Sequence, residues 1–138
     1  MPQFAPRPLV AGALFALLAA CTGMAATPAS AGGEAMIADG ATFTLQPGAT
    51  VVLADASTLR YIGLVNDSRC PPDVQCIWAG DAEIELAWQP SAGVPARTFS
   101  LHTGRGDKSA ALGARHVVLV SLARGAAPAA ELKIERIE

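Results

Sequence analysis

From Ala41 to the C-terminus, apolar residues recur at every second position in short runs, and residues that break extended structure separate the runs. A period of two puts one set of side chains on a single face of a β-strand and the intervening set on the other. The clearest run is 82–89, AEIELAWQ, with Ile84, Leu86 and Trp88 on one face and Glu83, Glu85 and Gln89 on the other. Residues 41–46 set Phe43 and Leu45 against Thr42 and Thr44, and 96–102 turn Phe99 and Leu101 inward. Residues 49–54 add a further run, and 58–65 is apolar on both faces. Residues 114–123, ARHVVLVSLA, are dense in valine and read as a central strand. The closing ELKIERIE, 131–138, reads as a last strand, with a short helix as the alternative because glutamate and lysine tolerate either. Turn residues divide these runs: Pro47-Gly48, 55–57, 90–95, 103–109 and 124–130. No amphipathic helix of normal length stands between them. The pattern predicts an all-β domain, an antiparallel β-sandwich of about seven short strands, with a small β-barrel as the alternative. Without helices alternating with strands, a doubly wound α/β fold is not expected.

The N-terminus carries a second pattern. A single charge, Arg7, precedes the apolar run Leu9 to Ala20, LVAGALFALLAA. That length suits the hydrophobic region of a signal peptide and falls short of the roughly 20 residues a membrane-spanning helix needs. Residues Leu18, Ala19, Ala20 and Cys21 resemble the lipobox of bacterial lipoproteins, an aliphatic residue and two small residues before a cysteine. The resemblance implies removal of residues 1–20 as a signal peptide and acylation of the Cys21 sulfur. Three acyl chains would then hold the protein at the membrane, where one chain alone binds only marginally. An aspartate after the cysteine favours inner-membrane retention in such lipoproteins. Thr22 stands there instead, which implies the outer membrane, facing the periplasm. The alternative is a plain secretory signal cut at Ala29–Ala31, ASA, and a soluble periplasmic or secreted product.

Removing residues 1–20 from the 138 leaves 118, enough for one small domain. The remaining charges are 9 positive and 12 negative, a net of −3, which offers no basic footprint for nucleic acid. Residues 21–39 are rich in Ala, Gly, Pro, Ser and Thr and read as a flexible tether ahead of a single β domain at 40–138.

The segment NDSRCPPDVQCIWAGD, residues 66–81, is the densest in chemistry. The chain has 3 cysteines. If Cys21 is acylated, Cys70 and Cys76 remain as a pair in an oxidising space, where disulfides persist. The intervening PPDVQ can fold back, and Pro72-Asp73 suits the middle of a turn. A structural disulfide is the leading expectation. The competing ones are a redox-active pair, against which the spacing is not C-x-x-C, and a metal clip, which would need two more ligands. His102 and His116 are the 2 histidines, and neither belongs to a paired-ligand spacing, so no metal or cofactor is expected.

Asp67, Arg69, Asp73 and Asp81 lie near the two cysteines and Trp78. Arg69 has two options, pairing with an acid or stacking on Trp78. Asp67-Ser68 suits a capped turn, and Gly80 a positive φ before the next strand. The cluster is either a polar network that stiffens the loop or a recognition surface of Asp67, Arg69, Trp78 and Asp81. The stretch DSRCPPDVQCIWAGDAEIEL resembles a signature of small bacterial lipoproteins of uncharacterised function, D-S-R-C-P followed by C-x-W-x-G and an alternating strand. The closing VVLVSLARGAAPAAELKIE resembles the same family's C-terminal strand pair. The resemblance implies an exported β domain with a bridged loop and transfers no activity.

Two short motifs carry little weight. Arg105-Gly106-Asp107 matches an adhesion tripeptide that is common by chance, and GRGDKS lacks the Gly-Lys-Ser/Thr ending and following helix of a phosphate loop. The leading functional expectation is a non-enzymatic, lipid-anchored envelope domain that acts as a binding or structural module, with an envelope protein or a cell-wall saccharide as candidate partner. The others are a small envelope enzyme or inhibitor, and a metal or redox accessory protein using Cys70, Cys76 and a histidine.

Overall fold

Nine strands follow one another in the computed structural model of the protein, which describes residues 36–138. They are β1 Met36–Ile37, β2 Thr42–Leu45, β3 Thr50–Leu53, β4 Thr58–Asp67, β5 Ala82–Gln89, β6 Arg97–His102, β7 Ser109–Leu112, β8 Arg115–Leu122 and β9 Ala130–Arg136. The expected signal peptide 1–20, Cys21 and residues 22–35 of the expected tether lie outside the described residues. The end of that tether, 36–39, is corrected. Met36 and Ile37 pair in parallel with Val52 and Leu53 of β3, and the Asp39 carboxylate binds Arg115. Short as it is, this segment gains backbone hydrogen bonds and a buried cation as partner.

The strands form two sheets, in the orders β1-β3-β4-β5-β6 and β2-β9-β8-β7, antiparallel except for β1 with β3. The fold is therefore an all-β sandwich, as the alternation predicts. Its core is one cluster filled from both sheets. Val51, Leu53, Leu59, Tyr61, Ile84, Leu86 and Leu101 come from one, and Leu45, Leu112, Val117, Leu119, Leu132 and Ile134 from the other. The seven expected strands are all present, and residues 131–136 of ELKIERIE lie in β9, not in a helix. The two additions are β1, a run of two residues, and β7, whose SAAL does not alternate. β8 lies between β9 and β7, the interior position its valines suggest.

β4 accounts for its two apolar faces. Its register with β5 shifts between Tyr61 and Gly63 and again between Leu64 and Asn66. Such irregularities bend a strand and re-aim its side chains. Leu59 and Tyr61 point into the core while Ile62 and Val65 face solvent. The Tyr61 hydroxyl crosses the core and donates to the Pro128 carbonyl (3.0 Å), giving a buried polar tip its partner.

The two ends of the sandwich differ. At one end the buried Arg115 guanidinium donates to Asp39, and to Asp55 of the β3–β4 turn at 2.6 Å. Asp55 in turn holds the Ser57 amide (3.0 Å) and hydroxyl (2.6 Å). The other end gathers the connections 46–49, 68–81, 103–108 and 123–129, because β4, β6 and β8 finish there and β5 and β9 begin there.

Candidate functional site

The longest of these connections is the cysteine segment between β4 and β5. Its base is closed by backbone pairing. The Ser68 amide donates to the Asp81 carbonyl (2.7 Å), and the Cys70 amide to the Ala79 carbonyl (3.3 Å). The Ser68 hydroxyl adds a bond to the Asp81 carbonyl (3.0 Å) and accepts from the Asp81 amide (3.1 Å). Gly80 makes this closure possible. Its φ is 70°, and a Cβ there would sit 1.9 Å from the Ser68 carbonyl oxygen. Only glycine fits so close an approach of two backbones. Above the base, Cys70 and Cys76 are joined as a disulfide with Cα atoms 5.8 Å apart, within the usual range. The Val74 amide donates to the Pro71 carbonyl (3.2 Å), so the chain turns back through the two prolines as their fixed φ favours. With both sulfurs in the bond, neither Cys70 nor Cys76 offers a thiolate to a metal in this oxidised state.

Arg69 fastens the segment to the opposite sheet. Its guanidinium donates to both Asp67 carboxylate oxygens (2.9 and 2.6 Å) and to the carbonyls of Leu122 (2.7 Å) and Ala123 (2.8 Å). Side-chain bonding by Arg69 outweighs the partial burial that opposes it and holds the Asp67 carboxyl below its ordinary range. From the far side, Arg124 donates to the Cys70 carbonyl (2.8 Å). Of the two roles open to Arg69, pairing with an acid is the one it takes. It does not stack on Trp78. The forked guanidinium meets two carboxylate oxygens and two carbonyls at once, which an indole face cannot match.

Asp81, at the entry to β5, ties the segment to the β6–β7 connection. One carboxylate oxygen lies 2.6 Å from His102 Nδ1, and the other accepts from the Gly104 amide (2.7 Å). Burial alone would push this carboxyl up. Hydrogen bonds from His102 and from the amides of Gly104 and Arg105 outweigh it and bring Asp81 down to about 2. The neighbouring tripeptide is absorbed in the same cluster. The Gly106 backbone lies against the His102 ring, and the Asp107 carbonyl accepts from the His102 amide (2.8 Å). Arg105 places its guanidinium carbon 5.9 Å from the centre of the Trp78 ring. The cation on Trp78 is thus Arg105, brought from 27 residues away in sequence.

A cleft of about 480 Å3 opens between these parts, lined by Ser68, Cys76, Trp78, Gly80, Asp81 and Arg105. Of the four residues expected to form a recognition surface, Trp78 is displayed, with 70% of its area exposed. Asp81 lines the cleft, but its oxygens are already bonded. Asp67 and Arg69 are turned into the fold, with side chains only 20% and 13% exposed. The surface gains Ile77, 93% exposed, Val74 and Arg105, none of which the charge pattern singles out.

Asp81 with His102 is a carboxylate–imidazole pair, two parts of a hydrolytic triad. Among the described residues, no hydroxyl bonds the His102 ring. Ser68 Oγ bonds the Asp81 backbone, and Thr103 Oγ accepts from the Ala82 amide (2.9 Å). Glu83 and Glu85 lie on the outer face of β5, alternating with core residues. His116 stands opposite Glu135 on β8, in the sheet remote from the cysteines. Among the described residues, no three His, Cys, Asp or Glu are grouped to hold a metal ion. The chain matches no protein-family model, no curated protein and no solved structure with which it was compared.

Proposed function

We propose that this protein is a non-enzymatic binding module of the bacterial envelope. It is acylated at Cys21, held at the outer membrane facing the periplasm, and uses the disulfide loop as its contact surface. The observation that carries this reading is the exposure of Ile77 (93%) and Trp78 (70%) on a loop fastened by a disulfide and by bonds to two other parts of the chain, 122–124 and 102–104. Folding removes large apolar side chains from water wherever it can, and a rigid patch left outside marks an interaction site. Rigidity matters in the same direction, because a loop already ordered loses little entropy on binding. The lipobox at Leu18–Cys21 and the oxidised Cys70–Cys76 pair support an exported chain.

The test is a photoreactive amino acid at position 77 in growing cells, with position 137 as the comparison. Ile137 is also exposed but lies beyond β9 at the Arg115 end. Crosslinked species that form from position 77 and not from 137 support the reading. Equal or no crosslinking from 77 overturns it. Cys21→Ser abolishes radioactive palmitate incorporation if Cys21 is the acylated residue, and label that persists removes the anchor.

A further inference from the structure

We propose that the loop end of the sandwich rests on the lipid surface itself, with Ile77 and Trp78 seated where headgroups meet acyl chains. This rests on the anchored reading above and names the partner of the same loop.

Three observations converge. The first is the chemistry of the loop. Val74, Ile77 and Trp78 are apolar residues of the cysteine loop, all more than half exposed. Tryptophan favours the membrane interface, where its ring meets hydrocarbon and its N–H meets water. The second is a pair of arginines beside these residues, at the end of the sandwich that also carries the exposed Asp73 and Asp107. Arg105 stands over the indole, and Arg124 lies beside the Cys70 carbonyl. Guanidinium groups beside exposed apolar side chains can meet lipid phosphates, which they bind as forked donors.

The third is the direction from which the chain enters. β1 runs parallel to β3, and β3 antiparallel to β4. The N-terminal side of Met36 therefore faces the end of the sheet where β4 finishes at Asp67, the end that bears the cysteine loop. Met36 pairs with Val52, and Val52 with Thr58, nine residues below Asp67 along β4. At about 3.3 Å per residue that height is about 30 Å. Fifteen residue steps separate Cys21 from Met36, a reach of up to about 50 Å when extended. An acyl group on Cys21 can therefore lie in the same membrane plane that Ile77 and Trp78 touch. A chain entering from the Arg115 end would hold the loop away from the bilayer.

The test uses the acylated full-length protein in vesicles of phosphatidylethanolamine and phosphatidylglycerol containing bromine-labelled lipid. Trp88→Phe leaves Trp78 as the single indole. Bromolipid is expected to quench its fluorescence, and aqueous iodide is expected not to reach it. Ile77→Ser lowers the docked-to-undocked ratio about tenfold, the equivalent of one buried aliphatic side chain. Because Trp88 packs against the core, the wild type is read in parallel by 19F NMR with fluorotryptophan at both positions, where bromolipid broadens the Trp78 resonance alone. Vesicle-bound protein whose Trp78 stays open to iodide and insensitive to bromolipid overturns the proposal. Position 77 crosslinking to protein or saccharide in cells would then leave the binding-module reading standing. Failure of the anchored reading registers separately, as an intact chain that does not float with the vesicles, and it removes the premise of docking with it.

Discussion

Replacing both Cys70 and Cys76 by alanine opens a seven-residue ring. Residues 71–79 are all exposed, so the change removes little buried surface, and its main effect falls on the unfolded chain. Closing a ring of that size lowers the entropy of the unfolded state enough to stabilise the fold by about 2.4 kcal/mol at 25 °C in the chain-entropy treatment. A domain of about 100 residues unfolds with an entropy of about 0.2 kcal/mol/K, so the expected fall in Tm is about 11 °C. Thermal unfolding followed by circular dichroism measures it, with wild type in strong reductant as the second sample. Reductant breaks the same ring without changing a side chain's place in the sequence. The two samples should therefore melt together, about 11 °C below the oxidised wild type. A fall of less than about 3 °C would refute the reasoning, because a ring that constrains the unfolded chain cannot be thermally silent. A double variant melting far below reduced wild type would also refute it, since the sulfurs would then act through native packing.

Gly80→Ala forces a Cβ onto the Ser68 carbonyl at a positive φ and should break the base of the loop. Loss of protection of the Ser68 and Asp81 amides in hydrogen exchange checks it. Tyr61→Phe leaves the Pro128 carbonyl without its buried donor and should lower unfolding free energy by about 1–3 kcal/mol in denaturant titration. Asp81 is held at about 2 in the folded protein against an ordinary 3.8. Its folded value is depressed, so its stabilisation is complete above 3.8 and is lost as pH falls through about 2. The stability gap between wild type and Asp81→Asn should therefore be widest near neutrality and close between those two values, and a gap constant with pH would contradict the Asp81–His102 and Asp81–Gly104 bonds.

Much of the architecture was legible in the chain. Ile84, Leu86 and Leu101 carry the period of two, and turn residues stand between the runs, because a strand with one buried face must alternate. β7 was not legible, since SAAL sets three apolar residues in a row and does not alternate. The cysteine pairing was legible by its spacing and count. The loop's partners were not. Arg69 meets the carbonyls of Leu122 and Ala123, 53 and 54 residues on, and backbone carbonyls leave no mark in a sequence. Arg115 was equally silent, an arginine at a strand start whose two acids come from positions 39 and 55.

Local chemistry alone therefore determined where the chain extends, where it turns and which sulfurs can join, because strand period, proline geometry and ring closure act within a few residues. Sheet order decided the rest. By bringing the ends of β4, β6 and β8 together, it committed Asp67, Arg69 and Asp81 to internal bonds, set Arg105 over Trp78, and left Ile77 and Trp78 facing outward. Side-chain identity lists the groups that can bond, and the distances that select among them exist only once the strands have paired.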